Sequence, residues 1–406
     1  MKVIRTITPD TTWLGGSDRR LALFENMFPL ENGVSYNSFL IQDEKTALID
    51  TVDASVGRQF IENLQALLQD RPLDYLVVNH MEPDHCAQID EIRRLFPMVK
   101  IVGNAKTFQL IEQFYRMDLT EATVQVKDGD RLSLGRHELQ FIFAPMVHWP
   151  EVMFTYDHYD KILYSADAFG TFGGYTGNLF SDEADYDELY LDESRRYYTN
   201  IVGKYGPQVQ KALQKASAVP FELVCPLHGP VLRGDTLTHL LQKYDAWSQY
   251  EPEESGVMIA YASMYGNTEN AVHVLGNLLS QHGVQNIRMF DVSKTHFSHI
   301  VANSFRYSHL VFASPTYNLG LYSAMETVLH DLAALNVQNR DVSIIGNGSW
   351  MPAAGRIMTE LVTNMKNMRL LGATLEIKSS LTDEQYDVME TLAKEIADSV
   401  KARQQA

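Results

Sequence analysis

Short apolar runs bounded by turns recur along this chain, and they confine it to folds in which β-strands are covered by helices. Residues 46–50, 75–78, 100–103, 139–144, 161–165 and 223–225 are such runs, with a few amphipathic helical stretches among them. This mixture predicts a layered α/β domain over residues 1–250. After residue 256 the pattern changes. Residues 256–262, 286–291, 309–314 and 342–346 read as strands, spaced by helical stretches that include 269–279 and 322–335. Strand and helix alternating at this spacing predict a parallel, doubly wound sheet over 256–406. Between the two regions, Glu251-Pro252-Glu253-Glu254-Ser255 is short, polar and proline-bearing, and it reads as a linker at 251–255.

Composition narrows the function classes. The chain has 406 residues, 45% of them hydrophobic and 21% charged, enough for substantial cores and without a disordered bias. No apolar run approaches the ~18 to 20 residues of a membrane span. The N-terminal Met1-Lys2-Val3-Ile4-Arg5 has no signal-peptide core, so a soluble, cytoplasmic protein is expected. Two cysteines, Cys86 and Cys225, are too few for a disulfide framework, a Cys-rich zinc ribbon or a built-in rubredoxin, and both are expected to be buried thiols. The formal net charge is −17, with 34 Lys plus Arg against 51 Asp plus Glu. That balance repels polyphosphate backbones, and no nucleic-acid partner is expected.

His80-Met81-Glu82-Pro83-Asp84-His85 directly follows the run Leu76-Val77-Val78. Two imidazoles and two carboxylates at the mouth of a buried strand suit a paired-metal site better than a core. A short motif of this kind is often only a solvated loop, so its surroundings must agree. Three further candidate ligands follow or border apolar runs: His148, Asp167 and His228. Strand ends hold ligands on a rigid scaffold while the loops stay free to vary.

A second constellation follows the first strand of the C-terminal region. Ser263-Met264-Tyr265-Gly266-Asn267-Thr268 leads from that strand into a helix, placing hydroxyls, an amide and backbone N–H groups at a helix N-terminus. Without lysine it is not a Walker loop. Ser314-Pro315-Thr316-Tyr317-Asn318 and Gly346-Asn347-Gly348-Ser349-Trp350 close two later strands, where a doubly wound sheet binds ligands. Each loop alone could be a plain turn; three in register favour a bound cofactor.

The His-x-Glu-x-Asp-His order followed by His148, Asp167 and His228 resembles the metallo-β-lactamase fold as used by flavodiiron proteins, and the loop at 263–268 resembles the phosphate loop of flavodoxins. Together the two resemblances cover nearly the whole chain. They imply an N-terminal αββα sandwich followed by a flavodoxin-like sheet. They also imply iron on His80, Glu82 and His148, a second iron on Asp84, His85 and His228, and Asp167 bridging both. Whether His85 ligates directly or supports a ligand from behind is left open. Hydrolases of the fold carry a histidine where this chain has Glu82, and added carboxylate oxygens favour iron or manganese over zinc. FMN is the implied flavin, with Tyr317 or Trp350 offering an aromatic face. Ser349-Trp350 departs from the frequent Gly-Trp of the family, yet Ser349 still offers its backbone N–H.

The resemblance further implies reduction of O2 to water, of NO to N2O, or both. It implies a head-to-tail homodimer or dimer of dimers, and a donor such as rubredoxin or a reduced deazaflavin. The absence of Cys-x-x-Cys pairs points to the two-domain form of the family. Tyr197, Tyr198 and His158 are candidate proton relays, though each is of a type that is commonly structural. The competing readings are a hydrolase of the metallo-β-lactamase kind and a non-catalytic flavin carrier or redox sensor.

Overall fold

Every apolar run singled out above lies on a strand of the computed structural model, which describes residues 3–405 apart from Asp118 and Thr120. Met1 and Lys2 of the N-terminal stretch lie outside the described residues, as does Ala406. The chain divides into two units, Met1–Asp245 and Ala246–Ala406.

In the first unit two sheets face each other. One runs in the order Arg5–Thr6, Thr11–Trp13, Phe39–Gln42, Thr46–Ile49, Tyr75–Val77, Lys100–Gly103, Thr123–Gln125. The other runs Arg131–Ser133, Glu138–Phe143, Met153–Asp157, Ile162–Tyr164, Leu223–Cys225, Leu232–Arg233. Phe39, Ile41, Ile49, Val77 and Val102 of the first sheet pack against Leu139, Phe141, Met153, Tyr164 and Cys225 of the second. Alternate residues such as Phe39 and Ile41, or Leu139 and Phe141, share a face because the strand repeat is two. Helix Gly57–Leu68 buries Phe60, Leu64 and Leu68, one stripe at four-residue spacing. This is the expected αββα sandwich. Both cysteines are buried free thiols, and burial pushes Cys86 up to about 12.

One buried histidine joins the two layers. His137 is fully buried, its Nδ1 2.7 Å from Asp157 Oδ2 and its Nε2 3.3 Å from Asp10 Oδ2. Burial alone would lower its pKa, but the hydrogen bonds to Asp157 and Asp10 raise it. A raised folded-state value means that the protonated form stabilises the fold. That contribution is complete below about pH 6.5, the ordinary histidine value, and is lost as pH rises through the raised value. The urea midpoint should therefore fall from pH 6 towards pH 9 more steeply in the parent than in His137→Gln.

The second unit is a parallel sheet in the order Ile287–Asp291, Glu254–Tyr261, Tyr307–Tyr317, Asp341–Asn347, Arg369–Leu370, with Leu375–Ile377 also paired to Asp341–Asn347. Counting strands along the unit this is 2-1-3-4-5, the flavodoxin-like order. The expected linker is shorter than 251–255. Glu254 pairs with Tyr307, so Glu254 and Ser255 already belong to the first strand.

Arg340 is 1% exposed and donates to the carbonyl oxygens of Tyr250, Ser304, Phe305 and Gln338 at 2.7 to 2.9 Å. Burial draws its pKa down to about 9, which leaves it charged at neutral pH. Its fork ties the start of the unit to the centre of its sheet, and a point-charge lysine could not satisfy four acceptors at once. Arg340→Met should cost about 3 kcal/mol or more in urea unfolding, because it strands buried carbonyls. Among the described residues no helix is long and apolar enough to cross a membrane.

Candidate metal centre and flavin cavity

The hexapeptide begins where strand Tyr75–Val77 ends. Asp50, at the end of the neighbouring strand, accepts the backbone N–H groups of Asn79 at 2.7 Å and His80 at 3.3 Å, and the Asn79 side chain at 2.9 Å. Burial raises Asp50 to about 6 despite these bonds. Glu82 is the extended N-cap of the short helix Pro83–Cys86, with Pro83 fixing φ in its first turn. That turn swings Asp84 and His85 away from His80 and Glu82. The second sheet supplies the rest: His148 beyond Glu138–Phe143, Asp167 beyond Ile162–Tyr164, and His228 beyond Leu223–Cys225.

All seven predicted ligands converge in two groups, His80, Glu82, His148 and Asp167 in one, Asp84, His85 and His228 in the other. Asp167 Oδ2 lies 3.4 Å from His80 Nε2 and 3.1 Å from His148 Nε2. Its other oxygen, Oδ1, lies 3.1 Å from His85 Nε2 and 3.8 Å from His228 Nε2. One carboxylate therefore faces both groups. Glu82 Oε2 closes the first at 3.2 and 3.1 Å from the same two imidazoles. Asp84 Oδ2 closes the second at 3.4 and 3.3 Å, and the Nε2 atoms of His85 and His228 are 3.0 Å apart.

These separations test whether a metal fits. Ligand atoms at about 2.1 Å from a common ion lie about 3.0 Å apart along an octahedral edge and about 3.4 Å along a tetrahedral one. The observed distances fall in that range except the 3.8 Å between Asp167 Oδ1 and His228 Nε2. Both Asp84 oxygens and Asp167 Oδ1 are buried without a hydrogen-bond donor, a costly state for carboxylates that a cation would relieve. Burial would lower the His80, His148 and His228 imidazoles, but the facing carboxylates raise all three, His148 to about 9. Burial would raise Asp167, yet the imidazoles around it hold it well below the usual carboxylate range. Such mutual charging is what a donor set built for cations shows when protons take their place. His85 points Nε2 into the second group, as a direct ligand would.

Outer partners fix the imidazoles, and the sequence did not reveal them. His80 Nδ1 lies 2.8 Å from Glu151 Oε1, which also accepts the Met81 N–H at 2.9 Å. His228 Nδ1 donates to the Ser35 carbonyl at 2.7 Å. Both arrangements leave Nε2 as the lone-pair atom. Glu151→Ala should weaken metal retention roughly tenfold to a hundredfold, measured as the rate of metal loss to a chelator, with Glu151→Gln between it and the parent. Glu25, on the turn between Leu23–Phe24 and Phe28–Pro29, is an exposed residue whose carboxyl turns in against Glu82, and partial desolvation there with that neighbour's charge raises it to about 8.

Aromatic rings wall the second group. Phe24, Tyr36 and Tyr197 have ring centroids 5.3, 5.7 and 5.5 Å from His228. Trp149 meets His80 at 5.4 Å. Of the suggested proton relays, Tyr197 touches the site, Tyr198 meets Tyr244 edge to face, and His158 binds Gln140 beyond the far end of strand Met153–Asp157. The site opens on one side only slightly: the Glu82, Asp84 and His148 side chains are 12, 13 and 9% exposed, whereas those of His80, His85 and His228 are 0% exposed.

The second unit holds a cavity of about 630 Å³ at the C-terminal ends of its strands. Of the predicted cofactor residues, Ser263, Met264, Tyr265, Asn267, Thr268, Pro315, Thr316, Tyr317, Asn318, Asn347, Gly348, Ser349 and Trp350 line it. Gly266, Ser314 and Gly346 do not. Gly266 is the left-handed N-cap of helix Asn267–Gln281, Ser314 is buried with its hydroxyl on the Pro315 carbonyl, and Gly346 gives room to Glu376. Leu319, Met351 and Ser379 also line the cavity, outside the three expected loops. Ser263 Oγ accepts the Gly266 and Glu269 N–H groups at 3.1 and 3.3 Å, shaping the turn into the helix. Thr316 lends its hydroxyl to the Ala353 and Ala354 N–H groups, which tethers the 348–352 loop. A volume of this size, neutral donors at a helix start and exposed rings at Tyr265, Tyr317 and Trp350 fit a flavin mononucleotide.

A sandwich bearing a paired-metal donor set, followed by a flavodoxin-like unit with a nucleotide-sized cavity, defines a two-centre redox protein. Residues 34–229 match the family model described as ODP family beta lactamase. The chain is 31% identical over 357 residues to a nitric oxide reductase of Moorella thermoacetica, covering 87% of this chain and 88% of the relative. A relative described as diflavin flavoprotein A 1, from Nostoc sp., is 33% identical over 329 residues, and the chain spans 55% of its length. The solved rubredoxin oxygen:oxidoreductase of Desulfovibrio gigas superposes with a TM-score of 0.92 at 28% identity, covering 99% of this chain and 100% of that one. The chain belongs to the flavodiiron protein family.

Proposed function

We propose that this chain is an oxidoreductase that reduces O2 to water, NO to N2O, or both, at a non-haem diiron centre supplied by FMN. The observation that carries the reading is Asp167, whose two buried oxygens face two separate imidazole and carboxylate groups. His80, Glu82 and His148 would hold one iron, Asp84, His85 and His228 the other. The loops at 263–268, 314–318 and 346–350 would hold FMN. When bound, a diferrous pair and a reduced flavin supply two electrons each, together the four that take O2 to two waters.

The chain's own residues prepare that chemistry. Glu151 and the Ser35 carbonyl lock the His80 and His228 rings with Nε2 inward. Phe24, Tyr36 and Tyr197 cover the His228 side of the second group. Glu82, Asp84 and Asp167 bring three carboxylates against two dications, so little net charge stays buried.

The exposed Tyr265, Trp350, Met351 and Leu319 around the flavin cavity support a head-to-tail homodimer or dimer of dimers, in which one subunit's FMN serves its partner's metals. The protein is cytoplasmic, and its donor is a small redox carrier such as rubredoxin or a reduced deazaflavin. Parallel anaerobic O2 and NO consumption assays with both donors test the reading. Turnover of either gas supports it, whereas inertness towards both, with esterase or phosphodiesterase activity instead, favours the hydrolase alternative.

A further inference from the structure

We propose that the neutral diatomic substrate reaches the metal groups through a cavity that ends at Phe172, separate from the polar mouth at Glu82 and Asp84. The inference rests on gas reduction being the chain's activity. Within the first unit a cavity of about 260 Å³ is bordered by Arg19, Glu31, Gly173, Leu189, Tyr190 and Phe172. Most of that border is polar, but Phe172 itself is 1% exposed and opens onto other rings. It meets Phe24 at 5.4 Å and Tyr197 at 5.1 Å between centroids. Each of these packs on His228, at 5.3 and 5.5 Å. Two ring contacts thus separate the cavity from an imidazole of the second metal group. The Arg196 guanidinium covers the Phe172 ring at 4.5 Å.

The two openings differ in what they admit. The mouth at Glu82, Asp84 and His148 is lined by carboxylates and an imidazole, a setting that favours water, protons and cations. Behind the Phe172 ring, whose one face carries Arg196, the contacts through Phe24 and Tyr197 to His228 are ring against ring. A hydrated ion would lose several kcal/mol of solvation there, whereas O2 and NO carry no charge to desolvate. A diatomic molecule needs only a small transient gap between these buried rings, which move more slowly than exposed side chains. Phe172, with Phe24 and Tyr197 behind it, is therefore a filter by polarity.

Two substitutions push the passage in opposite directions. Leu189 is exposed at the border, so Leu189→Trp narrows the entrance without entering the ring layer. Phe172→Leu thins the layer. In stopped-flow oxidation of the reduced, metal-loaded protein, the bimolecular rate constant for O2 should fall roughly fivefold or more in Leu189→Trp and rise in Phe172→Leu. Reduction of the flavin by the donor should be unchanged in both. Crystals of the loaded protein under xenon pressure should hold xenon beside Phe172. Parent-like O2 constants in both variants, or xenon confined to the Glu82 and Asp84 mouth, would overturn the route. A parent that reacts with neither gas would instead sink the functional reading, and the xenon position would still decide the route.

Discussion

Replacing Asp167 with alanine should empty both metal positions together and lower gas reduction by roughly a hundredfold or more, beyond the effect typical of losing an outer partner. The reason is geometric. Asp167 is 0% exposed, and its oxygens are shared, Oδ2 with His80 and His148, Oδ1 with His85. Among the described residues, Asp167 is the carboxylate whose ion pairs reach imidazoles of both groups, whereas those of Glu82 and Asp84 each stay within one. Asp84→Ala is the matching control, since Asp84 meets only His85 and His228, and it should lower metal content mainly at one position. Metal content per chain after anaerobic loading and desalting reads both variants. Equal losses in the two would mean that Asp167 is not shared.

Glu82→His should keep two metals but exchange iron for zinc, and gas reduction should disappear with the iron. Glu82 Oε2 sits 3.2 and 3.1 Å from the Nε2 atoms of His80 and His148, so it occupies a vertex of the first group. An imidazole there turns a nitrogen and oxygen set with two carboxylates into one dominated by nitrogen, which suits zinc. The substitution is sterically mild, because the Glu82 side chain lies at the slightly open mouth. Iron content and activity equal to the parent would remove Glu82 as the basis for choosing the metal.

Much of this arrangement was legible in the residues. Strands were readable because their apolar runs are short and Val, Ile and Leu rich, and each predicted ligand sat next to one of them. The position of a metal-capable side chain at a strand end is a local fact. The outer partners are not. Glu151 lies 71 positions from His80, and glutamate after a His-Trp-Pro sequence has nothing to mark it until the two sheets close. The Ser35 carbonyl that orients His228 carries no side-chain signal at all. His85 was ambiguous for a different reason: adjacent ligands on one metal look strained in an extended chain, and only the helical turn Pro83–Cys86 lets Asp84 and His85 reach the same group. In the flavin cavity the three strand-end loops were readable, whereas Ser379, reached from a fourth strand end and bonded to Asn347, was not. The linker is shorter than its sequence suggests, because Glu254 looks polar and solvent-directed but pairs with the strand Tyr307–Tyr317.

One chain should carry a two-iron centre on the sandwich and one flavin on the parallel sheet. Metal and flavin analysis of the protein purified without oxygen tests it most directly. Two irons and one FMN per chain are the predicted result; two zincs, or iron without flavin, would contradict it.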